Sequence, residues 1–202
     1  MTKTLSIITI LILTSLVTGC TTNNSDDNDS SDTGYSEIFS FNLLNGGKKI
    51  TSDYEGKIVL LDFTGVTCPW CVPQTFALEA IYNNYSSDDL VIISIYVWMF
   101  RETVEDINNL LDAYSCVSPC DAEEDFTQIS LRDYKQYNGK QNGMKLKWVI
   151  GYDDSEGTLY YKYGQNGIPY ILILDKNGNI YYSNPGYTTY DSITEKLDEL
   201  IV

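Results

Sequence analysis

The stretch LLDFTGVTCPWC (residues 60–71) places two cysteines two residues apart, directly after an apolar run that carries a single aspartate, Asp62. The run around it, IVLLDF (residues 58–63), reads as a buried strand. Beyond the cysteines, Val72, Phe76, Ala80 and Ile81 recur at helical spacing, and Tyr85 extends the same face. The pair therefore falls where a strand hands over to a helix. A thiol in the first turn of a helix meets unpaired N–H groups and the positive end of the helix dipole, both of which favour thiolate. Cys68 is thus the expected nucleophile, exposed at the helix tip. Cys71 would sit one turn along on the same face, tucked beneath it and able to attack a mixed disulfide formed at Cys68. Pro69 suits a first helical position, and Pro73 is expected to remove one helical hydrogen bond. A carboxyl inside the strand would be desolvated, with a raised pKa, so Asp62 is the expected acceptor of the Cys71 proton.

Outward from this stretch the pattern alternates strand and helix. FSFNLLNGGKKITSDYEGKIVLLDF (residues 39–63) alternates around Asn45-Gly46-Gly47, a hairpin signal. LVIISIYVW (residues 90–98) is a second near-continuous apolar strand, followed by ETVEDINNLLDAY (residues 102–114), with Thr103 as cap and Val104, Ile107, Leu110 and Leu111 on one face. Residues 113–147 break the rhythm and read as an insertion. It holds a second cysteine pair, Cys116 and Cys120, an acidic cluster and a helical pattern over residues 126–137. A short strand over 148–150 and a helical segment over 158–163 come next. Two strands joined by the turn Asp175-Lys176-Asn177-Gly178 follow, and then a closing helix with Ile193, Leu197, Leu200 and Ile201 on one face.

The N-terminus has one lysine, Lys3, then a run of aliphatic and hydroxyl residues to Val17, too short for a membrane span and followed by small residues. VTGC (residues 17–20) resembles the lipobox of prokaryotic lipoproteins. That resemblance implies a signal peptide over residues 1–19, lipid carried on Cys20, and a protein that is extracytoplasmic and anchored to the cell membrane. Residues 20–35 contain no large apolar residue before Tyr35 and read as a solvated acidic tether, leaving residues 36–202 as one domain. The formal charge is −15, and loss of residues 1–19 removes Lys3 and no acid, giving −16. Such a chain repels nucleic acid and anionic lipid surfaces. With no histidine, it has no imidazole to act as base or ligand. With Cys20 set apart, the remaining four cysteines form two close pairs that an oxidising compartment would allow to be disulfides. Cys116 and Cys120, enclosing Val117-Ser118-Pro119, are read as a structural disulfide of the insertion.

LLDFTGVTCPWC resembles the active site of the thioredoxin superfamily: the strand, the aspartate six residues before the first cysteine, and CxxC opening a helix. FSFNLLNGGKKITSDYEGKIVLLDF resembles the added N-terminal hairpin of its membrane-anchored TlpA-like branch, and YGQNGIPYILILDKNGNI (residues 163–180) is similar to its cis-proline segment. The resemblance implies a thioredoxin-like α/β fold, a central mixed sheet flanked by helices. It also implies thiol–disulfide exchange with protein substrates, with Trp70, Ile168 and Pro169 meeting the substrate chain, no cofactor and no metal, and a membrane redox partner for the reductase direction. Three departures stand out. Thr67 replaces the tryptophan usual before the first cysteine, Pro73 falls early in the helix, and the insertion has no counterpart in the minimal fold.

Two rival readings follow from the same residues. Four thiols suffice for a tetrahedral structural zinc site, although Cys68 and Cys71 open a helix instead of standing on loops. LDFTGVTCP also resembles the peroxiredoxin active-site stretch, but Gly65 stands where that family has threonine, and the close partner Cys71 suits dithiol exchange.

Overall fold

The computed structural model describes residues 35–113 and 146–201, with the backbone alone at positions 112 and 113. Cys20, the tether, and Cys116 and Cys120 lie outside the described residues. The elements are β1 (Ser40–Leu43), β2 (Lys48–Ile50), β3 (Ile58–Thr64), α1 (Cys71–Asn84), β4 (Leu90–Tyr96), α2 (Val104–Ala113), β5 (Val149–Tyr152), α3 (Thr158–Lys162), β6 (Tyr170–Leu174), β7 (Ile180–Pro185) and α4 (Tyr190–Asp198). They build one mixed sheet in the order β2-β1-β5-β4-β3-β6-β7. β3, β4 and β5 run parallel at its centre, while β6 and β7 on one side and β1 and β2 on the other are antiparallel.

The central strand explains the apolar run. All seven residues of β3 are buried, because the sheet is covered on both faces. Val59, Leu61 and Phe63 point to the layer holding Phe39, Leu159 of α3 and Tyr163. Ile58 and Leu60 point the other way, onto Leu78 and Ile81 of α1 and Ile193 and Leu197 of α4. With a period of two, Asp62 shares this second face. α2 packs on the same side, where Ile107 and Leu110 meet Val72 of α1 and Tyr96 of β4. The two faces are therefore covered by different segments: α1, α2 and α4 on one, α3 and the N-terminal strand lead-in on the other.

Local signals place the ends of the elements. The hairpin closes over Asn45-Gly46-Gly47, with Ser40 opposite Ile50, and the second turn closes with the Gly178 N–H donating to the Asp175 carbonyl. Thr103 caps α2 reciprocally: its hydroxyl accepts from the Asp106 N–H, and the Asp106 carboxylate accepts from the Thr103 N–H. The short strand expected over 148–150 is displaced to Val149–Tyr152. Trp148 precedes it and buries its ring among Ile58, Leu78 and Ile92.

Candidate active site

β3 delivers the chain to the cysteines through a tight turn. The Cys68 N–H donates to the Gly65 carbonyl, the Cys71 N–H donates to the Cys68 carbonyl, and α1 begins at Cys71. The expectation that Cys68 and Pro69 occupy the first helical turn is corrected: Cys68 stands one turn ahead of the helix. The same shift corrects the reading of Pro73. It is the third residue of α1, where an N–H has no intrahelical partner, so its ring costs no helical hydrogen bond.

Cys68 and Cys71 are joined in a disulfide with their Cα atoms 5.4 Å apart. Cys68 is 4% exposed and Cys71 2%, so the expected contrast between an open and a covered sulfur is absent from the disulfide form. The cover comes from the opposite end of the sequence. Ile168-Pro169 is a cis peptide, and the Ile168 carbonyl oxygen lies 3.6 Å from Cys68 Sγ. Gly65 makes that approach possible: a Cβ there would fall 2.8 Å from the Trp98 ring and 2.9 Å from Ile168 Cδ1. Trp70, by contrast, is 55% exposed at the mouth of the site.

Asp62 is 1% exposed on the face of β3 that carries α1. Burial pushes its pKa from 3.8 up to about 7, and a hydrogen bond from the Ser94 hydroxyl to Oδ2, 3.1 Å long, pulls in the opposite direction. Its Oδ1 has no hydrogen-bond partner. Ser94 stands directly across the parallel ladder from Asp62 and in turn accepts from Trp148 Nε1 at 3.0 Å.

Three further polar side chains escaped sequence reasoning. Glu102, 4% exposed, accepts from the Val66 N–H at 2.8 Å with one oxygen. With the other it accepts from the Thr67 N–H and hydroxyl, both at 2.9 Å. Its carboxylate thus anchors the turn that presents Cys68, at the position where the usual tryptophan is missing. Gln74 is fully buried and ties α1 to the loop after β7, accepting from the Thr188 N–H and donating to the Thr188 carbonyl. Ser94 is the third. Glu102 lay inside a helix-start pattern, Gln74 inside an apolar helix, and Ser94 inside a strand. The one sequence signal shared by Gln74 and Ser94 is a polar residue in a stretch that has to be buried.

Taken as chemistry, a dithiol pair at the end of a core strand can cycle between disulfide and thiols. A backbone carbonyl stands beside the Cys68 sulfur, and a carboxyl of raised pKa is buried in the strand that leads to the pair. The comparisons with known proteins agree with this geometry. A family model described as thioredoxin-like domain matches residues 48–201. The thiol-disulfide oxidoreductase ResA of Bacillus thuringiensis subsp. konkukian (strain 97-27) is 25% identical over 156 residues, covering 76% of this chain and 70% of that protein. The thioredoxin-like protein YneN of Bacillus subtilis (strain 168) is 25% identical over 160 residues, covering 79% and 75%. Among solved structures, the pneumococcal exposed lipoprotein thioredoxin Etrx1 from Streptococcus pneumoniae strain TIGR4 aligns with a TM-score of 0.51 at 22% identity, over 81% of this chain and all of that one.

Proposed function

Since the chain belongs to the thioredoxin-like domain family and is a thiol–disulfide oxidoreductase, we propose that it works outside the cytoplasm as a reductase of protein disulfides, held at the membrane by lipid on Cys20. The observation that carries the proposal is the position of Cys68 Sγ against the Ile168 carbonyl, because a substrate strand pairing with that backbone is led onto the reactive sulfur.

In the reducing direction the Cys68 thiolate attacks one sulfur of a substrate disulfide. That S–S bond breaks, and one substrate thiolate leaves. The Cys71 thiol then passes its proton to the Asp62 carboxylate, and its thiolate attacks Cys68 Sγ. The mixed disulfide breaks, the second substrate thiolate leaves, and the Cys68–Cys71 disulfide remains. Two electrons have moved from protein to substrate, and a dithiol or membrane redox partner has to return them. Trp70, exposed beside the pair, and Ile168-Pro169 border the substrate path.

The export and anchoring reading is supported by the resemblance of VTGC to a lipobox and by the likeness of the fold to an exposed lipoprotein thioredoxin. The direction rests on likeness to TlpA-like proteins. It is tested by the reduction potential of the Cys68/Cys71 couple, with Cys116 and Cys120 intact and with both replaced. A value near the thioredoxin range of about −270 mV supports a reductase, whereas one near about −120 mV identifies an oxidant. Stoichiometric zinc retained by the fully reduced protein would instead favour a metal-binding module.

A further inference from the structure

We propose that Ser94 and Trp148 are positioning residues that set the proton affinity of Asp62, acting in series as Trp148 Nε1–H to Ser94 Oγ–H to Asp62 Oδ2. The assignment rests on the reading of Asp62 as the acceptor of the Cys71 proton.

The geometry is that of a directed chain. Trp148, Ser94 and Asp62 are 8%, 3% and 1% exposed, and the two links measure 3.0 and 3.1 Å. An indole N–H is a donor only, so it occupies a lone pair of the serine oxygen and leaves the single hydroxyl proton free to point at the carboxylate. A hydroxyl held in that sense stabilises ionised Asp62 and, as a donor, gives much less to the protonated form. Ser94 does not exchange its proton in this scheme. It fixes the charge state of Oδ2 and leaves Oδ1, which has no partner, as the oxygen free to take a proton.

Among the described residues, no charged side chain competes for this role. On β6 the residue across from Asp62 is Ile171, and β4 offers Ser94. From α1, Leu78 packs in the layer on this face, while the buried Thr75 hydroxyl donates to the Cys71 carbonyl. Glu79 of α1 and Asp191, Glu195, Lys196 and Asp198 of α4 are half-buried or exposed, as are Glu105 and Asp106 of α2. The other buried carboxyls at this end of the sheet are engaged elsewhere, Glu102 by Val66 and Thr67 and Asp153 by the N–H groups of Asp154, Leu159 and Tyr160. Burial and the Ser94 hydrogen bond are the causes of the Asp62 shift, and the serine is the one that can be changed without reshaping the core.

The test follows the Asp62 carboxyl in the oxidised protein by isotope-edited infrared or carbon NMR titration, which needs neither substrate nor a known direction of exchange. Ser94→Ala should raise its midpoint by about one pH unit, the worth of one charge-assisted hydrogen bond. Ser94→Thr, which keeps the hydroxyl, should restore it. Trp148→Phe should raise the midpoint less, and the Ser94→Ala/Trp148→Phe double variant should match Ser94→Ala alone, since the indole acts only through the serine. In the reduced protein, the pH profile of mixed-disulfide resolution should move by the same amount. An unchanged midpoint in Ser94→Ala, or additive shifts in the double variant, would overturn the series relay. Shifted midpoints with an unshifted resolution profile would leave the relay standing and remove Asp62 from the exchange step.

Discussion

Cys68 Sγ and the Ile168 carbonyl oxygen are 3.6 Å apart although one hundred residues separate them in the chain. The sheet makes the meeting: β3 leads to Cys68 and its antiparallel neighbour β6 begins just after Pro169, with Phe63 opposite Tyr170. Cys68, the proposed nucleophile, and the segment proposed to align its substrate are thus set by the same ladder.

That relationship predicts the order of the two sulfurs. Cys71→Ser should leave a Cys68 thiol that attacks a disulfide substrate and stays bound to it, and Cys68→Ser should trap nothing. Intact-mass measurement after mixing with a disulfide peptide checks both. Trapping through Cys71 in the Cys68→Ser protein would reverse the roles.

Gly65→Ala should loosen the same corner. The added Cβ collides with Trp98 and Ile168, two side chains fixed in a packed layer, so a loss of about 1–3 kcal/mol in urea unfolding is expected, together with slower exchange. Equal stability and equal rate would mean that the Trp98 ring swings aside.

Asp62 gives a pH dependence of defined sign. Its folded pKa lies above the unfolded value, so the folded oxidised protein holds this proton more tightly than the unfolded chain does. The contribution to stability is full below about pH 4, falls as pH rises through the window from 3.8 to about 7, and stays lost above it. Asp62→Asn lacks this term. Its advantage over the parent in denaturant unfolding should grow from near zero at pH 4 to about 2–4 kcal/mol at pH 8. A difference that does not vary with pH would show that Asp62 ionises normally.

Glu102→Ala should leave the Val66 and Thr67 N–H groups of this partly exposed turn without their carboxylate acceptor, at a cost of about 1–2 kcal/mol. Amide hydrogen exchange should accelerate at positions 66 and 67 before other positions of the domain. Protection unchanged at those two amides would remove Glu102 as the anchor of the turn.

What the chain alone determined was everything carried by near neighbours. The apolar run of β3, the 3.6-residue spacing in α1 and α4, and the turns at Asn45-Gly46-Gly47 and Asp175-Lys176-Asn177-Gly178 are local patterns, and each produced its element, although α1 starts only at Cys71 and α4 ends at Asp198, before Leu200 and Ile201. CxxC with Asp62 six residues ahead was legible for the same reason. Tertiary structure decided the rest: the start of α1 at Cys71, the covering of Cys68 by Ile168, and the partners of the buried polar groups. Glu102 reaches Val66 across 36 positions, Ser94 reaches Asp62 across 32, and Trp148 reaches Ser94 across 54. A buried polar atom has to find a partner, but its own sequence neighbourhood does not say which; only the pairing of β3 with β4 and the seating of Trp148 against them bring those donors and acceptors within reach.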